Sequence, residues 1–295
     1  MRISAGPGSR LLAARRRRRV AASVASLALL GGVYGVAAAP AHAAVGTVTA
    51  LGGGFDACTA PSSAMLDAWY NPSPYWWVGI YIGGDERACS QPNLTASWIS
   101  ANSASGWGFE PLWVGPQMSS ANGCSSTYFT YDISTNTTTA SRQGAGQANA
   151  AVTVAQSLGF GAGSTIYYDL EAFSTNVSSC VAAARAFVAG WDYELGVKGF
   201  TSGVYGSSCG SSLPSFASLR YAPTDINGAD WDGDPNTNVM SCVASSSWGN
   251  GHRLKQYEGG HNETWGGYTD NIDSDCAYGA IDDITIPNDA GDGCN

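Results

Sequence analysis

The sequence predicts an α/β fold, a single (β/α)8 barrel of the TIM type that is disulfide-stabilised and irregular in its second half. Three observations predict it: eight short segments of strand character, two long segments of helical periodicity between them, and eight cysteines. Strands that alternate with helices over about 250 residues are typical of a parallel sheet, and eight strands can close such a sheet into a barrel.

The predicted strands are runs rich in apolar, β-branched and aromatic residues. They cover residues 48–55, 77–82, 108–114, 165–170, 199–205, 226–231, 253–257 and 268–273. Apolar residues at helical spacing predict one helix over 148–158, ending at Gly159, and another over 181–195, ending at Gly196. Helices after residue 205 are poorly marked, and for this reason we expect the second half of the barrel to be irregular.

Residues 1–43 are predicted to be a secretory signal peptide. Arginines at positions 2, 10 and 15–19 precede an uncharged stretch, 20–39, and Ala41-His42-Ala43 offers a small-x-small cleavage site. The arginine-rich start also suits twin-arginine export. Cleavage would leave a barrel domain, 44–295, that is secreted or cell-wall associated and has no membrane anchor. A retained anchor is the alternative, because the uncharged stretch is just long enough to span a bilayer.

The charges of the chain are segregated. The formal net charge is -9, but only seven basic residues follow residue 43, whereas all 23 acidic residues do, so the proposed mature part carries -16. Binding to nucleic acid or to an anionic membrane requires clustered Lys and Arg, so this balance argues against both as partners. Hydrophobic residues make up 44% of the chain, which is enough for a substantial core and argues against disorder.

All eight cysteines lie beyond the proposed cleavage site, which predicts four disulfides and an oxidising compartment. They are Cys58, Cys89, Cys124, Cys180, Cys209, Cys242, Cys276 and Cys294. Their pairing stays open at this point. No pair has C-x-x-C spacing, and only His252 and His261 follow the cleavage site, so we expect no structural zinc. We expect a monomer that uses no cofactor and no metal.

An acidic pair ends the predicted strand at 165–170. Asp169 and Glu171 are two residues apart, so they point the same way, and at the carboxyl end of a barrel strand that direction leads into the active-site mouth. Mutual repulsion raises the pKa of one carboxyl group and lets it act as an acid near neutral pH. The alternative is that both acids cap the next helix or bind a turn.

Two other predicted strands also end in acids. Asp56 follows the first strand, although alone it could equally be a turn residue. If the barrel closes, the first and last strands are neighbours, and Asp56 lies near Asp273 or Asp275. Acids that converge from three strands, with almost no histidine, are what a glycosidase needs: one protonated carboxyl and one carboxylate opposite it.

Six short motifs follow one another along the chain: GFDAC at 54–58, VGIYIGG at 78–84, YYDLE at 167–171, GVYGS at 203–207, QY at 256–257 and IDSD at 272–275. Their order resembles a family of secreted bacterial glycoside-hydrolase-like proteins, long catalogued as a domain of unknown function, and more distantly the family 25 glycoside hydrolases, which are muramidases. The resemblance covers roughly residues 51–286.

The resemblance implies a β/α barrel with an acidic pocket formed by Asp56, Asp169, Glu171 and Asp273. In the muramidases, the carboxylate that matches Glu171 protonates the glycosidic oxygen. The one that matches Asp169 positions or stabilises the reacting N-acetyl sugar.

Candidate substrate-binding residues come from the same motifs and from tryptophans near strand ends. The motifs contribute Tyr205, Gln256 and Tyr257. Trp113 and Trp231 are expected to line the cleft, since indole faces stack on the apolar faces of sugar rings. The predicted partner is therefore a cell-wall polysaccharide of the peptidoglycan type.

Carboxylate acid/base cleavage of cell-wall glycan is the function that the sequence favours, and two alternatives stay open. One is a non-catalytic barrel that binds the same glycan. The other is a serine acyl hydrolase, because G-x-S-x-G at 206–210 presents Ser208 before Asp230 or Asp232 and His252 or His261. Cys209, expected in a disulfide, and the lack of a helix pattern after the motif argue against the acyl hydrolase.

Overall fold

Eight strands close into a barrel in the order in which they occur along the chain. The computed structural model describes residues 47–249 and 251–282. The strands are β1 Val48–Asp56, β2 Tyr75–Gly83, β3 Gly108–Trp113, β4 Thr165–Asp169, β5 Thr201–Ser207, β6 Asp225–Ala229, β7 Arg253–Trp265 and β8 Tyr268–Ile281. Each of them overlaps one predicted strand, so the predicted eight-stranded α/β barrel is confirmed.

Five α-helices of the described ranges alternate with the first strands. They are α1 Ser63–Trp69, α2 Ala96–Ala104, α3 Thr137–Leu158, α4 Ser178–Val197 and α5 Leu213–Phe216, and a short 3-10 helix covers Ser120–Asn122. The side chains of Ser62, Thr95 and Asn136 each accept a hydrogen bond from the backbone N–H three residues later, so they cap α1, α2 and α3. Gly159 ends α3 at φ 104°, a left-handed conformation that favours glycine.

The second half of the barrel is irregular in a specific way. Neighbouring strands from β1 to β7 are parallel, but β8 runs antiparallel to both β7 and β1. A two-residue turn, Gly266 and Gly267, connects Trp265 to Tyr268 and allows no crossover helix. Both glycines have positive φ, at 56° and 84°. Between residues 47 and 282, the described chain therefore forms five strand–helix units followed by three strands, and β8 differs from the parallel strand of a regular barrel.

The hairpin of β7 and β8 extends beyond the barrel and packs on α1. Trp69 Nε1 donates a hydrogen bond to the Tyr268 carbonyl at 3.1 Å, and a Cβ added at Gly266 would lie 2.5 Å from the Ala68 carbonyl oxygen. Nearer the barrel, the Tyr75 hydroxyl lies 2.7 Å from Ser274 Oγ. The hairpin thus contributes to covering the barrel wall beside α1 although no described helix follows β8.

The barrel interior has an apolar lower part. Among its buried side chains are Trp77, Leu112, Tyr167 and Leu254. The Trp77 indole packs directly against Gly54. A Cβ atom at Gly54 would lie only 2.1 Å from the indole ring, so the ring needs the space that glycine leaves. This packing fills part of the barrel interior.

Three disulfides join segments at the carboxyl ends of the parallel strands. Cys58–Cys89 connects the loops after β1 and β2, Cys124–Cys180 connects the loop after β3 to the start of α4, and Cys209–Cys242 connects the loops after β5 and β6. The expectation that Cys209 is in a disulfide is confirmed. Cys294, which a fourth predicted disulfide would require, lies outside the described residues.

The predicted signal peptide, 1–43, also lies outside the described residues. Within 47–249 and 251–282, no helix has both the length and the apolar character needed to cross a bilayer.

Helices α3 and α4 pack at backbone distance. A Cβ at Gly144 would lie 2.0 Å from the Phe187 carbonyl oxygen, and one at Gly190 would lie 2.1 Å from the Ser141 carbonyl oxygen. Gly146, two residues from Gly144, has no heavy atom within 4 Å of such a position. The two glycines of α3 therefore differ in packing but share a helical backbone.

We expect Gly144→Ala to destabilise the fold by about 1–3 kcal/mol, because the added methyl group would meet backbone and force the helices apart. Gly146→Ala is the matched control and should stabilise the fold by about 0.5–1 kcal/mol, since alanine is the better helix former. Urea unfolding of both variants measures these changes. Equal effects of the two substitutions would contradict the close helix contact.

Candidate functional site

A cleft of about 360 Å³ opens at the carboxyl ends of the parallel strands. Five carboxyl groups line it: Asp56, Glu86, Asp169, Glu171 and Asp273. The structure thus brings together all four acids that the sequence singled out, because β1, β4 and β8 each deliver one or more of them to the same mouth. Glu86 comes from the loop after β2 and was not anticipated.

Asp56 ends β1 and lies directly opposite Asp273 of β8 in the strand register. Its carboxyl group is buried, and it accepts hydrogen bonds from the Tyr81 hydroxyl at 2.9 Å and from Gln256 Nε2 at 2.7 Å. Burial, and then repulsion by Asp273, raise the pKa of Asp56 to about 7 although both hydrogen bonds oppose the shift. Asp56 therefore exchanges a proton near neutral pH.

Asp169 and Glu171 lie at different depths beside β4. Asp169 is 4% exposed, and its pKa is well above the ordinary value because of burial and then repulsion by Glu171. Glu171 is exposed at the mouth, yet neighbouring protein removes part of its hydration and raises its pKa. The buried Gln117 side chain fixes the segment, donating to the Asp169 carbonyl at 2.7 Å and accepting from Glu171 N–H at 2.9 Å.

Two further acids, Glu110 and Asp275, lie deeper and are fully buried. Asn227 Nδ2 donates to both oxygens of Glu110, at 3.1 and 3.2 Å, but burial still raises the pKa of Glu110 to about 8. In the described ranges, neither carboxylate oxygen of Asp275 has a hydrogen-bond partner. Burial and then repulsion by Asp56 hold the pKa of Asp275 well above its ordinary range.

The sequence contained partial signals for these deeper acids. Glu110 interrupts an apolar predicted strand, and a charge at such a position indicates a polar barrel interior. Asp275 follows Asp273 by two residues, so it lies on the same face of β8 one step deeper. It had been one of the two expected neighbours of Asp56, and the register now pairs Asp273 with Asp56 and Asp275 with Gly54.

Gln256 connects the acids to the aromatic residues of the site. Its Oε1 accepts from the Tyr205 hydroxyl at 2.9 Å and from Trp231 Nε1 at 2.8 Å. Its Nε2 donates to Asp56 and, at 3.3 Å, to Asp273. Gln256 was predicted to bind substrate, but the side chain is fully buried, so the structure places it beneath the cleft as a positioning residue.

Trp231 forms an exposed platform beside this network. The side chain is 66% exposed, although its Nε1 is held by Gln256 and its ring lies against Gly259, where a Cβ would be 2.5 Å away. The next residue, Asp232, forms an ion pair with the buried Lys255 at 2.9 Å. The indole face is therefore presented to solvent in a fixed orientation.

Trp113 and Tyr257 are not brought to the cleft. Trp113 is buried in the apolar core, and its Nε1 donates to Gln147 of α3 at 2.7 Å. The Tyr257 side chain is hydrogen-bonded to Ser274. Ser274 is the hairpin residue that also contacts the Tyr75 hydroxyl. Side chains alternate along a strand, so Tyr257 points away from its neighbour Gln256.

The residues proposed for a serine acyl hydrolase do not form a triad in the described ranges. Ser208 is buried, and the hydrogen bonds of the two described histidines run elsewhere. His252 faces Asp225 at 3.4 Å, and His261 faces Glu263 and Ser274, each at 3.3 Å. Ser208 therefore has no adjacent histidine base in the described ranges. The same ranges contain no group of three or more His, Cys, Asp or Glu side chains arranged to hold a metal ion.

The buried acids predict that acidification stabilises the protein. The pKa of Asp56 rises from 3.8 to about 7 and that of Glu110 from 4.5 to about 8, so the folded state binds these protons more tightly than the unfolded state. This stabilisation is complete at a pH below the pKa values of the unfolded chain. It is lost as the pH rises through the pKa values of the folded protein. We therefore expect the urea concentration at the unfolding midpoint to rise as the pH is lowered from about 8 to about 5.

Substituted acids provide the controls for this profile. Asp56→Asn and Glu110→Gln should each flatten it, whereas Asp67→Asn, at an exposed position of α1, should leave the slope unchanged. A midpoint that falls on acidification would contradict the assignment.

The Rv2525c-like, glycoside hydrolase-like domain model matches residues 67–277. No curated protein matches the chain. Among solved structures, the chain is similar to an uncharacterized B. stearothermophilus protein, with 15% identity, a TM-score of 0.52 and coverage of 76% of this chain and 95% of that one. This likeness supports the barrel fold.

Two further structures are less similar. The catalytic domain of endolysin ply40, from bacteriophage P40 of Listeria monocytogenes, has 11% identity, a TM-score of 0.46 and coverage of 78% and 94%. The modular autolysin LytC from Streptococcus pneumoniae, in complex with a synthetic peptidoglycan ligand, has 11% identity, a TM-score of 0.46 and coverage of 80% and 52%. Because the family model spans more than half of the sequence, from α1 to β8, this chain belongs to the Rv2525c-like, glycoside hydrolase-like domain family.

Proposed function

We propose that the protein is a secreted glycoside hydrolase that cleaves cell-wall glycan of N-acetyl sugars by carboxylate acid/base catalysis. The observation that carries the proposal is the convergence of Asp56, Asp169, Glu171 and Asp273 on one cleft, with the pKa of three of them raised. Hydrolysis of a glycosidic bond needs a carboxyl group that keeps its proton near neutral pH and a carboxylate across the sugar.

Glu171 is the proton donor in this proposal. It is the exposed acid of the β4 pair, and its raised pKa allows it to keep a proton at higher pH than an ordinary glutamate. A proton delivered from Glu171 to the glycosidic oxygen lets the bond break without forming a free alkoxide. Gln117 holds the backbone at the Asp169 carbonyl and at the N–H of Glu171 itself, and so fixes the position of Glu171.

Asp273 is the acid on the far side. Strands β4 and β8 are four apart in a closed barrel of eight, so Glu171 and Asp273 belong to opposite sides of the mouth. Asp273 accepts hydrogen bonds from Gln256 Nε2 and Gly260 N–H, which orient its carboxyl group. Asp169, at the floor of the cleft, positions the N-acetyl group of the sugar.

Binding of the glycan is assigned to Trp231. Its exposed indole face is joined through Gln256 to Asp56 and Asp273 and can stack on a sugar ring. The same observation favours a second candidate function, a non-catalytic barrel that binds cell-wall glycan, in which the acids would serve as hydrogen-bonding partners of sugar hydroxyls.

Secretion is supported by the disulfides. Three of them lie around the mouth, and disulfides form and persist in oxidising compartments. They fit export by the predicted signal peptide, 1–43, and a protein that acts outside the cell or within the wall.

We expect Glu171→Gln to lower the release of reducing ends from purified peptidoglycan by about 100-fold to 10,000-fold, the usual contribution of a general acid. Glu194→Gln is the control, because Glu194 lies on α4 and pairs with Lys198, away from the cleft. Equal release by the wild type and Glu171→Gln would contradict the hydrolase. Glycan binding without release by either protein would favour the binding barrel.

Trp231→Ala should weaken binding of a soluble glycan fragment about twofold to tenfold, because aromatic stacking contributes roughly 0.5–1.5 kcal/mol. Trp231→Phe keeps a stacking face but loses the bond to Gln256, so its affinity should fall less. Isothermal titration calorimetry measures both. Tyr193→Ala, at a half-exposed aromatic residue on α4, is the control, and an equal loss in that variant would argue against the platform.

A further inference from the structure

One basic side chain lines the acidic cleft. Arg87 follows β2 in a loop, and the other described lining residues are acidic or uncharged. Only seven basic residues follow residue 43. A cation at this position is therefore a specific feature of the site, and the hydrolytic roles assigned to the acids do not use it.

The guanidinium of Arg87 is anchored at one end. Its Nη1 donates to the carbonyls of Tyr81 and Ile82, at 3.3 and 3.4 Å, at the end of β2. The Cys58–Cys89 disulfide fixes the loop two residues later. On the other side, the backbone N–H of Glu86 donates to the Val114 carbonyl at 3.0 Å. Arg87 is thus held in place before any ligand binds, which lowers the entropic cost of binding.

The acids around Arg87 are engaged with other groups. Glu86 accepts from the Tyr131 N–H at 2.5 Å, Asp56 accepts from Tyr81 and Gln256, and Asp273 accepts from Gln256 and Gly260. None of the ion pairs in the described ranges includes Arg87. Within the part of the chain that the structure describes, the hydrogen bonds of Arg87 use Nη1, so its Nη2 and Nε hydrogens are available to a ligand.

We propose that Arg87 binds a carboxylate of the substrate, so that the cleft selects a glycan whose sugars carry free carboxyl groups over a neutral one. A guanidinium presents parallel N–H donors that match the two oxygens of a carboxylate. A neutral N-acetyl sugar needs no such partner, and a cleft lined by five acids would otherwise repel an anionic chain. The inference deepens the proposed function and rests on the same cleft.

The test measures binding in a Glu171→Gln background, so that cleavage does not interfere. Three fragments of equal length are compared: an N-acetylglucosamine oligomer, an oligomer in which alternate sugars carry a lactyl ether carboxylate, and the second fragment with its carboxyl groups amidated. A fourth fragment, an oligomer that contains hexuronic acid, distinguishes a carboxylate on the ring from one on a lactyl group.

We expect at least one carboxylated fragment to bind about tenfold more tightly than the neutral and amidated ones, since charge-assisted bonds are the stronger kind. Adding Arg87→Gln should remove this preference and leave affinity for the neutral oligomer unchanged, while Arg87→Lys should retain part of it. Arg220→Gln is the control, because Arg220 is exposed before β6, at the opposite end of the strands, and stacks on Tyr221.

Three outcomes would overturn the assignment of Arg87: equal affinity for carboxylated and amidated fragments, an equal loss of affinity for all fragments in Arg87→Gln, or no binding of any fragment. Unchanged thermal unfolding of Arg87→Gln shows that the fold is intact. Failure of the hydrolase is a separate result, because a protein that releases no reducing ends can still bind carboxylated glycan through Arg87. Conversely, equal cleavage of carboxylated and amidated glycan would retain the hydrolase and remove the role of Arg87.

Discussion

The amide of Gln256 is the interaction on which the geometry of the site depends. It uses its full hydrogen-bonding capacity: Oε1 accepts from Tyr205 and Trp231, and Nε2 donates to Asp56 and Asp273. The amide is fully buried. Loss of any one of these hydrogen bonds would therefore leave an unsatisfied polar group in a low-dielectric interior, which is energetically costly. The aromatic platform and the acids across β1 and β8 are therefore held in a single arrangement, and a change at one of them affects the others.

The antiparallel direction of β8 is the second constraint. A parallel last strand would deliver acids to the mouth only at its carboxyl end, as β1 and β4 do. Because β8 descends from the mouth, Asp273 and Asp275 meet β1 at successive depths, opposite Asp56 and Gly54. The two-residue turn at Gly266 and Gly267 imposes this direction. The turn that replaces a crossover helix thus also places an acid pair inside the barrel.

Local patterns were sufficient to predict the eight strands and the acids at their ends, since alternation along a strand decides where Asp56 and Asp169 point. The direction of β8 was also encoded, because two glycines between two strand patterns are a hairpin signal. Burial of Gln256 and the inward direction of Glu110 depend on neighbours across the barrel, which are remote in sequence. Trp113 was misplaced for the same reason: its partner, Gln147, belongs to a helix 34 residues away.

Burial rather than pairing with cations dominates the electrostatics of the acids inside the barrel. It raises the pKa of Asp56 to about 7 and that of Glu110 to about 8, and it also raises the pKa of Asp169 and Asp275, so near neutral pH the barrel interior carries less negative charge than its count of acids suggests. An ion pair for each would have required several buried Lys or Arg side chains, whose desolvation is costly. The formal charge of -16 after residue 43 therefore overstates the field that a substrate meets. The electrostatic field that a substrate meets is set by the charged groups at the mouth of the cleft. Among these groups, the guanidinium of Arg87 is enough to change which glycans are repelled.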